Sequence, residues 1–222
     1  MLSFLACKIS LKMGLWQILW SEIGRVSANF TIFVPMLDYN AIIEHYYTPG
    51  TALYDTLVIH SRQVADLAVR LAVRYNDLHP AIDPLDIDFV REAAMLHDIG
   101  ICRTDAAGIH CHGTEPYICH GILGAEMLRA HDLPQHALVC ERHTGAGLSL
   151  DDIVSQDLPL PHRQMLPVTM EEKVICYADK FFSKTHLGEP ARSLERVRQS
   201  LAKFGPATLA RFQELTALFG TP

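Results

Sequence analysis

The 222-residue chain has no CxxC pair among its six cysteines, no polybasic stretch, no alternating strand pattern of useful length and no internal repeat. Each absence narrows what the chain can be. Without CxxC spacing, Cys7, Cys102, Cys111, Cys119, Cys140 and Cys176 do not read as a thiolate cluster. Several lie in apolar helical stretches, where a free thiol behaves as a small hydrophobe and suits a reducing cytoplasm. The apolar segments "MGLWQILW" and "ANFTIFVPML" fall short of the roughly 18 uninterrupted residues of a membrane helix, and Lys8, Lys12, Glu22 and Arg25 break up their region. No membrane association is expected. The net charge is −6 with both signs scattered, so no face is built to track a phosphate backbone, and a nucleic-acid polymer is not expected as a partner.

What remains is enough apolar chain, about half of the residues, for one well-cored domain with an appendage. Residues 1–35 read as an N-terminal extension. A secretory leader fits them poorly, because the apolar run after Lys12 is short and is followed by Glu22 and Arg25. Met36 reads as the biological start, the alternative being an extra N-terminal helix. Residues 36–222 form the domain, with 190–222 as peripheral C-terminal helices.

Helical spacing dominates this part. Leu53, Leu57, Val64, Leu67 and Leu71 fall three and four apart on one stripe of a long helix that also carries His60. "DIDFVREAAMLHDIG" opens on acidic residues suited to a helix N-terminus, carries Val90, Ala94 and His97 down one face, and stops at Gly100. "CHGILGAEMLRAHDLP" predicts a helix ended by Pro134, and "QHALVCERHTGAG" a shorter one. A Pro- and Asp-rich loop over 149–167 precedes "TMEEKVICYADKFFSK", where Thr169 and Glu172 have capping-box spacing. Two amphipathic helices broken at Gly205-Pro206 complete the chain. The fold class is all-α, a compact helical bundle.

Six polar residues stand on these apolar faces: His60, His97, Asp98, His120, His143 and Asp179. For any one imidazole, a hydrogen-bonded core histidine is the ordinary explanation. A buried carboxylate is costlier and needs a cation or several donors. Four imidazoles and two carboxylates from five helical segments are explained together by bound metal, which takes N and O ligands from rigid elements.

At these residues the sequence resembles the HD-domain metal-dependent phosphohydrolases, whose signature runs H…HD…H…H…D on a helical core. His60, the pair His97-Asp98, His120, His143 and Asp179 match that order, "HDIG" at 97–100 is a common spelling of it, and the likeness covers roughly residues 40–190. The resemblance implies the two-metal kind of HD domain. On that reading His60, His97 and Asp179 hold one ion, His120 and His143 hold the other, and Asp98 bridges them. His97 and Asp98 are then the catalytic pair, and a hydroxide formed between the ions is the nucleophile. Imidazole and carboxylate ligands suit iron, manganese, cobalt, nickel or zinc, and iron is the choice made here.

The substrate must be read from weaker signals. Arg103, Arg142 and Lys180 lie within a few residues of the ligands and are candidate phosphate-binding cations, the alternative being exposed charges on helix rims. Between the HD pair and His120, "CRTDAAGIHCHGTEPYIC" carries His110 and His112. Its spacing suits structural zinc poorly, and it reads as a substrate-facing lid or a plain surface loop. "ICHGILGAEMLRA" and "ERHTGAGLS" look like stretches of the bacterial HD enzymes that cleave diadenosine tetraphosphate symmetrically. Ile101, where many of those relatives place a lysine, and the longer loop depart from that branch. The expected activity is hydrolysis of a nucleotide or other small phosphate ester or anhydride, in the cytoplasm, with a homodimer left open. Two alternatives stand. One is a di-iron HD-type oxygenase, which a further lysine or carboxylate pair gripping a polyol would favour. The other is a non-catalytic regulatory HD module, which commonly lacks some of the ligands.

Overall fold

The computed structural model describes residues 37–222; the readings made for residues 1–35, Met36 and Cys7 lie outside the described residues. The elements run α1 (Tyr39–Tyr46), α2 (Ala52–Leu78), α3 (Ile87–Leu96), a 3-10 turn (Ile99–Arg103), β1 (Thr104–Ala106), β2 (Cys111–His112) and β3 (Glu115–Pro116). They continue with α4 (His120–Arg129), α5 (Pro134–Arg142), α6 (Leu150–Ser155), α7 (Met170–Asp179), α8 (Leu194–Leu201) and α9 (Pro206–Phe219). The architecture is all-α around a small three-stranded patch. No helix among the described residues is long and apolar enough to cross a membrane.

Helix α2 starts where the Thr51 hydroxyl accepts from the Tyr54 N–H and runs for 27 residues. Its stripe of Leu57, Val64, Leu67 and Leu71 is buried, and His60 is buried among them. That stripe packs against α3 and α7, while α4 lies against α5 and against the 3-10 turn that follows α3. The main core gathers these faces with Phe212, Leu215 and Phe219 of α9, so the C-terminal helices join the core instead of lying outside it. A smaller cluster of Cys119, Leu123, Ile153, Leu160 and Met165 seats α6.

Several local expectations change. The helix through "AAMLHDIG" ends at Leu96 and tightens into the 3-10 turn. Gly100 does not stop it by a left-handed cap; it lets two backbones meet, since a Cβ there would lie 2.2 Å from the His120 carbonyl oxygen and 2.3 Å from the Gly124 nitrogen. Pro134 opens α5 at its first turn, where a missing N–H costs nothing, and does not close the helix before it. The 149–167 loop contains α6, started by a reciprocal capping box between Ser149 and Asp152. At α7 the Thr169 half of the predicted box forms, but the Glu172 carboxylate turns to the Val168 N–H and to Arg142. Finally, the loop after the HD pair forms the patch in the order β2-β1-β3, with β1 antiparallel to β2 (Asp105 opposite His112) and parallel to β3 (Thr104 opposite Glu115).

Candidate metal centre

Five helices deliver the six side chains. His60 comes from the middle of α2, His97 caps the C-terminus of α3 with Asp98 next to it, and His120 opens α4. His143 caps the C-terminus of α5, and Asp179 is the last residue of α7. All six are buried, and Asp98 and His97 are fully so. Three of them stand at helix C-termini, where the carbonyl end of the dipole favours a nearby cation.

The arrangement divides at Asp98. Its Oδ2 lies 3.1 Å from His60 Nε2 and 2.9 Å from His97 Nε2. Its Oδ1 lies 3.4 Å from His120 Nε2 and 3.3 Å from His143 Nε2. Asp179 Oδ1 joins the first set, 3.0 Å from His60 Nε2 and 3.6 Å from His97 Nε2. Two groups of ligating atoms therefore exist, His60-His97-Asp98-Asp179 and Asp98-His120-His143, each compact enough to hold one ion and sharing a single carboxylate.

The donor chemistry fits a metal. His97 Nδ1 sits 2.6 Å from the Ala94 carbonyl oxygen, His120 Nδ1 2.7 Å from that of Tyr117, and His143 Nδ1 2.8 Å from that of Cys140. A backbone carbonyl can only accept, so each of these nitrogens carries the proton and leaves the Nε2 lone pair facing inward. Both oxygens of Asp98 and Nε2 of His97 are buried without an aligned hydrogen bond, although charged groups lie close to them. Buried polar atoms are rarely left so, and a cation between them is what their directions call for.

Electrostatics among the protein groups follow from the same crowding. Burial alone would lift the Asp98 carboxyl, but His97 and Lys184 beside it hold it well below the usual carboxylate range. Asp179 is likewise held down against burial by Lys180 and Lys184. Burial works to lower the His97 imidazole, yet Asp98 and Asp179 outweigh it and raise it to about 9. His120 falls to about 3, with burial outweighing Asp98.

A cavity of about 440 Å³ opens beside Asp179. Lys180 lines it, with its ammonium 2.6 Å from Asp179 Oδ2 and 3.2 Å from the His143 carbonyl oxygen. The other substrate candidates lie elsewhere. Arg103 is exposed and pairs with Glu126, and Arg142 is bound by both oxygens of Glu172. His110 and His112 are exposed and do not line the cavity, His110 with a left-handed backbone (φ 63°). Their loop does wall it, through Ala106, Gly108, Ile109 and Tyr117. Sequence reading missed Lys184, which lines the cavity and places Nζ 2.6 Å from Asp98 Oδ2. The signal that could have found it is charge balance: two buried carboxylates ask for two cations, and "DKFFSK" offers Lys180 and Lys184 four residues apart.

A family model and several known proteins match this chain. The HD domain family model matches residues 57–183. A protein of Methanocaldococcus jannaschii described as uncharacterized is 32% identical over 154 residues, 69% of this chain and 82% of its own length. A tRNA (cytidine(56)-2'-O)-methyltransferase of Thermoplasma volcanium is 32% identical over 169 residues, 76% of this chain and 42% of its own. The enzyme of the same name from Picrophilus torridus is 32% identical over 130 residues, 58% of this chain and 32% of its own. The chain thus spans less than half of either methyltransferase. No solved structure matches it significantly.

Proposed function

Because the chain belongs to the HD-domain family, we propose that it is a metal-dependent phosphohydrolase with a dinuclear centre, acting on a nucleotide or another small phosphate ester or anhydride. The observation that carries this reading is the division of Asp98, with Oδ2 turned to one group of ligands and Oδ1 to the other. Bound metal would supply there a water acidic enough to ionise near neutral pH and neutralise charge on a phosphoryl oxygen. The first ion would be held by His60, His97, Asp98 and Asp179, the second by Asp98, His120 and His143. Iron remains the preferred metal, with manganese, cobalt, nickel and zinc compatible with the same donors.

The protein's own contribution is orientation and exclusion of water. His97, His120 and His143 are locked by their Nδ1–H bonds to backbone carbonyls, so their geometry is set before any ligand arrives. Tyr117 stacks on His120 with ring centroids 4.7 Å apart and closes that flank. Lys180 stands at the cavity wall, held by Asp179 and the His143 carbonyl oxygen. The methyltransferase names belong to proteins of which this chain matches less than half, so methyl transfer forms no part of the proposal.

A di-iron oxygenase is kept as the second reading because an added lysine near the ligands would favour it, and Lys184 stands beside Asp98. One experiment separates the readings. Protein reconstituted with manganese, iron, cobalt or nickel is offered a panel of phosphate esters, nucleotides and dinucleoside polyphosphates, with and without oxygen and reductant. Metal-dependent release of phosphate or nucleotide is expected. No turnover on the panel, together with oxygen uptake by the reduced di-iron protein on a polyol or phosphonate, would replace the hydrolase by the oxygenase.

A further inference from the structure

Three cationic side chains line the cavity, and two are spent. Lys180 is anchored at both Asp179 and the His143 carbonyl. Arg192 donates through Nη2 to the Lys180 and Phe182 carbonyl oxygens and so braces the segment leading to Lys184. Lys184 differs. Its ammonium rests 2.6 Å from Asp98 Oδ2, the oxygen that also faces His60 and His97. Asp179 and Asp98 are thus each matched by one lysine, Lys180 and Lys184.

That balance holds only without metal. Asp98 Oδ2 is also the atom shared with His60 and His97, so an ion in that group and the Lys184 ammonium compete for one oxygen. Like charges at such a distance in a buried site repel strongly. Lys184 has a flexible four-carbon stem, and Ser183 and Thr185 on either side of it also line the cavity, so the side chain has room to turn. There an ammonium meets apolar walls from Ala106, Ile109 and Phe182, a setting in which it needs an anion.

We propose that Lys184 is a displaceable counter-ion: it neutralises Asp98 in the metal-free protein and, on metal loading, turns into the cavity to grip the anionic group of the substrate. The inference rests on the metal-centre reading above and adds a substrate class to it. The ligand is a terminal phosphate carried on a body apolar enough to lie along Ile109 and Phe182.

The test uses the full chain, stripped with chelator and titrated calorimetrically with manganese, then with inorganic phosphate. Lys184→Met, which keeps the stem and removes the charge, is expected to bind manganese about tenfold more tightly, because no cation has to leave. The manganese-loaded variant is expected to bind phosphate about tenfold or more weakly, with Lys184→Arg retaining part of the affinity. In the wild-type protein, acetylation of Lys184 followed by mass spectrometry should rise on adding manganese and fall again with phosphate. This readout stands even where a variant does not fold. Unchanged phosphate affinity in Lys184→Met, or acetylation unaffected by manganese, would overturn the inference while leaving the metal centre intact. A protein that binds no manganese would overturn both.

Discussion

Asp98 is the residue on which the proposed chemistry turns, because its two oxygens face two separate groups of imidazoles. Asp98→Ala is expected to cost at least one bound metal per chain and on the order of 100-fold or more in activity, with helical circular dichroism largely retained. Elemental analysis and turnover check it, and an active Asp98→Ala protein would reduce the pair to a helix end. At this scale the candidate ligands were legible because they are the wrong residues for their places: imidazoles and carboxylates on faces otherwise apolar. Arg142 and Lys184 were not. Whether an arginine grips a substrate or a carboxylate depends on its partner, and Glu172 stands 30 positions further along the chain. A lysine after a helix end looks like any exposed charge until Asp98, 86 positions earlier by the numbering, is folded against it.

Among the elements, the contact between the 3-10 turn and α4 sets the distance from the HD pair to His120. Gly100 permits it, since its Cα faces the His120 carbonyl and the Gly124 backbone with no room for a methyl group. Gly100→Ala is therefore expected to destabilise the protein by about 1–3 kcal/mol and to weaken metal binding as α4 is pushed away, a fall in Tm of several degrees reporting the first effect. A second joint ties α6 to α9, where Asp152 Oδ2 accepts from the Ser149 backbone N–H and, at 2.6 Å, from Arg211 Nη2. Burial opposes ionisation of Asp152, but the Ser149 hydrogen bonds and Arg211 prevail and lower its pKa. A lowered carboxylate contributes stability that is fully present above its unfolded value of about 4 and is lost as pH falls through the folded value. Asp152→Asn should thus melt below wild type at pH 7, and the gap should narrow on going below about pH 4. Long helices such as α2 could be read from spacing alone, because many residues repeat the signal. Strands of two or three residues offer no period to read, and α6 was hidden by the prolines and aspartates around it.

For the molecule as a whole, the centre is a cross-link between segments distant in sequence, drawing on residues from His60 to Asp179 across five helices. Helices alone do not dictate that convergence; it comes from burying α2, α3 and α7 against one another, with α4 and α5 closing the other side. Loading the site should therefore stabilise the entire described domain. With free metal at about 100 times its dissociation constant, one ion adds about 2.7 kcal/mol, which for a chain of this size raises Tm by roughly 5–10 °C. Chelation should reverse the gain without unfolding the protein at room temperature, because Lys180 and Lys184 already compensate Asp179 and Asp98 in the metal-free pocket. Melting curves of stripped, manganese-loaded and re-chelated protein decide the matter. A Tm indifferent to metal would mean that the buried cluster is a structural charge network, and the dinuclear reading would fall with it.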